Sequence, residues 1–187
     1  LSNLLSWTMN QMEGVSVKLE ELSLADTLNP VLLLQQPVAL EKCISVRNEI
    51  SQEAMVVADS NMLQLVLRNL LSNAVKFTPA GGEIVVGSKL KGHDWLIFVR
   101  DSGVGIPLEH QERIFSLNMR STFGTKNEKG AGLGLILCKE FTELQGGMIW
   151  FESSLINGTT FYIQLKGCGF RRSGTTPDPV LLQQNNL

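Results

Sequence analysis

Asn69-Leu70-Leu71-Ser72-Asn73-Ala74-Val75-Lys76-Phe77-Thr78-Pro79 is the stretch on which the reading of this chain turns. Asn69, Asn73 and Lys76 are spaced four and three apart, so they share one stripe of a helix rich in leucine, valine, alanine and methionine. Amides in such a setting either bridge neighbouring backbone or serve a ligand. An amide oxygen can ligate Mg2+, a hard cation that keeps several waters and takes phosphate oxygens as its other ligands, while Lys76 offers phosphate a point charge. A neutral ligand such as Asn73 has one advantage over aspartate: it does not repel a triphosphate.

Two glycine-punctuated stretches follow. Asp101-Ser102-Gly103-Val104-Gly105-Ile106-Pro107 comes directly after the apolar strand Trp95 to Val99, and its glycines permit backbone angles and close approaches barred to larger residues. An ionised aspartate only accepts hydrogen bonds, so Asp101 can take the exocyclic amine of adenine and would oppose the oxygen of guanine. An ordinary Asp-Ser-Gly turn is the plainer alternative. Lys129-Gly130-Ala131-Gly132-Leu133-Gly134-Leu135 stands just before a predicted helix, where free amides and the positive end of the helix dipole favour phosphate. Neither G-x-G-x-x-G after a strand nor G-x-x-x-x-G-K-[ST] occurs, which disfavours both common nucleotide folds.

Outward from these motifs, a helix capped by Asp59 or Ser60 is expected to run to about Phe77, ended by Pro79, Gly81 and Gly82. Strands are expected at Val46 to Ile50 and Met55 to Ala58, as a hairpin at Glu83 to Leu90 and Asp94 to Arg100, and as a pair at Met148 to Glu152 and Thr160 to Lys166. Leu108 to Phe115 reads as a short helix and Gly134 to Leu144 as a longer one stopped by Gly146 and Gly147. Ser23 to Lys42 has helical periodicity, yet Pro30 and Pro37 are expected to restart or bend it. Leu1 to Met12 reads as the end of an amphipathic helix, and the polar stretch Leu117 to Lys129 as a loop. This divides the chain into a helix end at 1–14, a linker at 15–23, a catalytic-type domain at 24–166 and a polar tail at 167–187, with no internal repeat.

The 187 residues, 43% apolar, suit one domain with short appendages. A net charge of −2 without blocks of like charge argues against nucleic acid as a partner. Cys43, Cys138 and Cys168 are odd in number and lack metal-ligand spacing, which fits a reducing, cytoplasmic setting. The apolar runs are too short for a bilayer span, so no direct membrane contact is expected of this piece, and a start at Leu1 suggests part of a longer protein, for which membrane anchoring stays open.

Taken together, Asn69 to Pro79 resembles the N box, Asp101 to Pro107 the first glycine box and Gly130 to Leu135 the second glycine box of sensor histidine kinases, with Gly158-Thr159-Thr160-Phe161 matching the last motif. The resemblance covers about Leu24 to Lys166 and points to the histidine-kinase branch of the ATPase superfamily that includes gyrase, MutL and the heat-shock chaperone ATPases. It implies an α/β (α+β) fold, a two-layer sandwich in which a mixed, mostly antiparallel sheet is backed by helices. It implies ATP and Mg2+ as ligands, with Asn73 on the metal, Asn69 supporting metal and phosphates, Lys76 on phosphate and Asp101 on the adenine amine. Phe77, Gly103, Gly105, Ile106, Lys129, Gly130, Gly132, Leu133, Gly134, Leu135 and Thr160 are expected to line the same pocket. Ile114 and Phe115 resemble the F box, whereas Leu117-Asn118-Met119-Arg120 departs from the commoner spelling after it.

Such a kinase transfers the γ-phosphoryl group to a histidine on a helical dimerisation domain, and the acceptor motif is missing here. His93 falls in a hairpin turn before Asp94 and Trp95, and His110 is followed by Gln111. The implied partners are therefore a histidine-bearing dimerisation domain of the same protein, making a homodimer, and a downstream response-regulator receiver domain. Two other readings of the same boxes stay open: a degenerate module that senses nucleotide or docks a partner, and a serine kinase of the anti-sigma-factor type.

Overall fold

The computed structural model describes residues 16–116, 124–126 and 133–168. Eleven elements follow one another among them: β1 (Glu20–Ser23), α1 (Leu24–Glu41), β2 (Ser45–Glu49), β3 (Met55–Ala58), α2 (Ser60–Phe77), β4 (Glu83–Lys91), β5 (Asp94–Asp101), α3 (Leu108–Gln111), α4 (Gly134–Leu144), β6 (Met148–Ser154) and β7 (Gly158–Lys166). Five strands form one sheet in the order β2-β4-β5-β7-β6, with β2 parallel to β4 and every other pair antiparallel. A second sheet pairs β1 with β3. This is the mixed, mostly antiparallel α/β sandwich that the motifs implied.

Helix α2 organises the core. Asp59 caps it, Oδ1 accepting the N–H groups of Asn61 and Met62 at 3.1 Å each. Leu63, Val66, Leu67, Leu70, Leu71 and Ala74 repeat at helical spacing and are buried, a stripe that lies between α1 and α4 and over β5. Each such Leu or Val contributes about 1.5–3 kcal/mol by leaving water. The strands answer with alternation: Ile84 and Val86 of β4, Ile97 and Val99 of β5, and Phe161 and Ile163 of β7 point to this helix layer and are buried. On the opposite face Trp150 stacks on Tyr162 with centroids 5.4 Å apart.

Three expectations need correcting. Pro30 and Pro37 do not restart α1, which continues through both as one helix of 18 residues. The two prolines are seven apart and exposed, so the carbonyls they deprive, those of the exposed Asp26 and Leu33, face water, while Leu24, Leu28, Val31 and Ala39 hold the other side in the core. The stretch 15–23, expected as a linker, contains β1, whose register pairs Leu22 with Val56. The predicted helix Leu108 to Phe115 stops at Gln111, and turns carry the chain on to Phe115.

The hairpin turn is shorter than expected, since Lys91 already pairs with Asp94 and only Gly92 and His93 remain outside the ladder, Gly92 at φ 65°. The expected helix at Leu1 to Met12 and most of the polar tail lie outside the described residues. Among the described residues no helix is long and apolar enough to cross a membrane.

Candidate nucleotide site

A helix leaves its last four carbonyls without partners in its own ladder. At the end of α2 each of them is met by a group from elsewhere or from the cap. Ala74 O accepts Thr78 N at 3.0 Å and Thr78 Oγ1 at 2.6 Å. Val75 O accepts the Lys42 ammonium at 2.7 Å, and Lys76 O accepts Lys42 at 3.1 Å and Thr125 N at 3.0 Å. Phe77 O accepts Val104 N at 3.2 Å, which docks the first glycine stretch directly on the helix that carries the asparagines. Two motifs some thirty residues apart in sequence thus share one corner.

Asp101 closes that corner. The residue is 5% exposed, and its Oδ1 accepts Gly103 N at 2.9 Å and Thr159 N at 3.3 Å. Desolvation raises the carboxyl to about 6, although both backbone donors pull the other way. The glycines around it are there for space. A Cβ on Gly103 would stand 2.7 Å from Phe77 O, and one on Gly158, at φ 76°, would overlap Asp101 O. Gly105, at φ 69°, lies against the backbone of Ser154 and Leu155. Ile106 N donates to Ser153 Oγ at 2.8 Å and Gln111 Nε2 to Ile106 O at 2.8 Å, so the loop after Asp101 is fastened to the β6–β7 hairpin.

Along α2, Asn69 Nδ2 donates to Leu65 O at 3.1 Å. Its Oδ1 faces the first residue of α4, where a Cβ on Gly134 would come within 3.0 Å. Helix α4 begins after Leu133 with no side-chain cap, leaving N–H groups at its start beside the Asn69 amide. Asn73 and Lys76 are half-buried on the same stripe, and the Lys76 ammonium lies 4.7 Å from the centroid of the half-buried Phe77 ring. Leu133 and Leu135 are half-buried at the opening turn of α4.

Lys129, Gly130 and Gly132 lie outside the described residues, as do Leu117 to Arg120. Thr160 is not brought to this corner: it pairs with Arg100 and Glu152, on the sheet face opposite Asp101. Its neighbour Thr159, buried and in register with Asp101, makes the contact instead. The period-two alternation of β7 counted back from Phe161 carried that information. Ile114 is buried, and Phe115 packs edge-on against Phe151 and Phe161, with centroids 6.0 and 6.4 Å away. His93 is exposed in its turn, and His110 lies 3.6 Å from the Glu109 carboxylate.

Lys42 was missed. It follows α1 and meets the end of α2 across 33 residues of sequence, and no local pattern marks such a pairing. A groove between α1 and α2, lined by Pro30, Val31, Leu34, Asn61, Leu65 and Arg68, holds none of the predicted site residues. The polar convergence at the end of α2 is the better site. Among the described residues no three His, Cys, Asp or Glu side chains gather as a metal cage. An ion that brings its own water and phosphate ligands, and needs one amide from the protein, suits Asn69 and Asn73.

Residues 58–167 match the model of the histidine kinase-, DNA gyrase B-, and HSP90-like ATPases. The autoinducer 2 sensor kinase/phosphatase LuxQ of Vibrio vulnificus is 33% identical over 195 residues, covering 97% of this chain and 23% of LuxQ. The chain thus spans about a quarter of the length of LuxQ. The solved catalytic domain of histidine kinase ThkA superposes with a TM-score of 0.70 at 30% identity, over 80% of this chain and 95% of that one. ThkA in complex with the response regulator protein TrrA matches at 26% identity and a TM-score of 0.68, over 89% of this chain and 48% of ThkA.

Proposed function

This chain belongs to the histidine kinase-, DNA gyrase B-, and HSP90-like ATPases, as an ATP-binding catalytic module of the two-component kinase type, and from that premise we propose how it handles its nucleotide. The module holds Mg·ATP with the adenine at Asp101 and the phosphates between α2 and the start of α4. One observation supports this: the buried Asp101 carboxylate holds the loop that docks through Val104 on Phe77 O at the end of α2, while Asn69 of the same helix lies against Gly134 at the uncapped start of α4.

Asp101 accepts the adenine amine and, through its own bonds to Gly103 and Thr159, keeps the base edge in register with β5 and β7. Phe77 and Ile106 supply apolar wall. Asn73 offers an amide oxygen to Mg2+, Asn69 orients the phosphates against the Gly134 end of α4, and Lys76 adds positive charge beside them. Bound Mg2+ supplies charge neutralisation to the phosphate oxygens. Lys129, Gly130, Gly132, Leu133 and Leu135 complete the enclosure. Thr159 replaces Thr160 among the lining residues.

The phosphoryl acceptor is a histidine on a helical dimerisation domain, which makes the working kinase a homodimer that acts in the cytoplasm, where ATP is. A receiver domain then takes the phosphoryl group. The solved complex of ThkA with TrrA supports a response regulator as partner. Phosphoryl transfer depends mainly on positioning and charge stabilisation, so this module contributes most of the catalysis while the nucleophile comes from elsewhere.

The test adds a histidine-bearing dimerisation domain in cis or in trans and measures acid-labile, base-stable phosphohistidine with labelled ATP. Transfer supports the kinase. Tight Mg·ATP binding without transfer supports a nucleotide-sensing module instead.

A further inference from the structure

The helices lie on one face of the five-stranded sheet, and the opposite face carries side chains in a definite order. Phe98 of β5, Tyr162 of β7 and Trp150 of β6 stand there in one row across three adjacent strands. Trp150 stacks on Tyr162 with planes 19° apart, while the Phe98 ring leans the other way, over Gly87 of β4. The next row along the strands is Arg100, Thr160 and Glu152, and the row on the other side is Leu96, Gln164 and Met148. Met148 is 56% exposed, Arg100 and Glu152 are exposed, and Leu96, Trp150 and Tyr162 are half-buried. Among the described residues the bonds and ring contacts of these side chains stay on this face: Tyr162 with Glu152 at 3.1 Å, Gln164 with Asp94 at 2.7 Å, and Lys89 Nζ 5.7 Å from the Phe98 centroid. No ion pair joins Arg100 to another described residue.

We propose that this face is a self-complementary interface for a second copy of this chain, the two copies being related by a two-fold axis that runs along β7.

Such an axis keeps every position along the strands and exchanges the strands on either side of β7, so β5 of each copy lies over β6 of the other. The rows then match. Arg100 meets Glu152 of the second copy twice over, Phe98 meets Trp150, and Leu96 meets Met148. Thr160, Tyr162 and Gln164 meet their own counterparts, and each of these side chains can both donate and accept. The one like pair, Lys166 with its counterpart, lies at the rim beside Asp94 of each copy. Sheets packed face to face are turned by about 30°, which displaces the outer rows by a few ångströms, within the reach of an arginine side chain. Three strands about 4.8 Å apart and about seven residues long make a footprint of roughly 14 by 24 Å, well under the about 800 Å² that each partner gives to a standard interface. The pairing is therefore weak and fast. The nucleotide corner lies on the other side of the sheet, so the inference does not depend on that reading.

The experiment is sedimentation velocity of the chain from about 20 μM to about 1 mM, the range in which a small interface associates. The wild type is expected to dimerise reversibly toward the upper end. Arg100→Glu and Glu152→Arg, each alone, are expected to weaken the dimer about tenfold, because each turns two attractions between copies into repulsions. Mixed in equal amounts, the two variants are expected to associate within about threefold of the wild type, since every such contact again joins a cation to an anion. Single variants that dimerise like the wild type, or a mixture no tighter than its components, overturn the proposal. Should circular dichroism show that a charge variant has not folded, Trp150→Ser decides: loss of the dimer supports the interface, and unchanged dimerisation overturns it. A wild type that stays monomeric also overturns it. Hydrogen exchange of the Trp150 indole N–H then names the alternative, protection pointing to another stretch of the same chain on this face and fast exchange to a different protein.

Discussion

Asp101 Oδ1 accepts the Thr159 N–H at 3.3 Å, which ties the end of β5 to the start of β7 at the point where their ladder begins. The same oxygen takes Gly103 N at 2.9 Å, so one buried side chain holds two strands and the first glycine stretch together. Its second oxygen is left for something else, and that division of labour makes the two roles of Asp101 separable.

Asp101→Asn is expected to keep the corner and weaken the ligand. An amide oxygen can still accept from Gly103 and Thr159, whereas the amide nitrogen confronts the adenine amine donor with donor. Mg·ATP affinity should fall by about 1–3 kcal/mol, the range for hydrogen bonds to a charged group or loss of one buried partner. Calorimetry measures it, and an unchanged dissociation constant would remove Asp101 from base recognition.

Two glycines with the same backbone twist but different surroundings separate strain from crowding. Gly146 has φ 74° with nothing within 4 Å of an added Cβ, while Gly158 has φ 76° and its Cβ would overlap Asp101 O. Gly146→Ala should cost about 1–2 kcal/mol for the left-handed backbone alone. Gly158→Ala should cost about 1–3 kcal/mol more, because β5 and β7 must part to admit the methyl group. Urea denaturation of the two variants side by side measures the difference, and equal losses would mean that the β5–β7 corner yields freely.

How legible the fold was depended on the range of the forces involved. The cap at Asp59, the stripe from Leu63 to Ala74 and the alternation of β4 and β5 are local patterns, and the structure follows them almost to the residue. Pro30 and Pro37 misled because a proline's cost depends on whether water can reach the carbonyl it deprives, which sequence spacing does not reveal. The union of Asn69 with Gly134 and of Asp101 with Gly103 was legible from the motifs. Lys42 was not, since its partners include carbonyls, which every residue has, and a threonine hydroxyl 83 residues away.

Asn73→Ala tests the metal assignment apart from the base. For the wild type, adding Mg2+ should tighten ATP binding. In the variant that gain should shrink sharply, while binding in the presence of a chelator changes little, because Asp101 and Phe77 are untouched. An unaltered Mg2+ titration would show that the ion is held by phosphates and water without this amide.

The pH dependence of the free chain carries a sign that distinguishes Asp101 from its neighbours. Burial lifts its carboxyl from 3.8 to about 6 against two backbone hydrogen bonds, so between those values the folded state binds more protons than the unfolded one. The contribution of Asp101 to stability is therefore highest below about pH 4 and declines as pH rises to 6, by about 3 kcal/mol in all. Asp59 behaves oppositely. Burial works to raise its carboxyl, but the N–H groups of Lys18, Met62 and Asn61 and the charge of Lys18 outweigh that and lower it. Its contribution is thus present above the ordinary aspartate range and lost as pH falls through its depressed value. Subtracting wild-type stability from that of Asp101→Asn cancels Asp59 and every other unchanged group. The difference should favour the variant increasingly from pH 4 to pH 6 and level off above, as read by urea titrations at each pH. A difference that stays flat across that window would mean that Asp101 is better solvated than its burial implies, and with it would go the desolvated site that makes its bond to adenine strong.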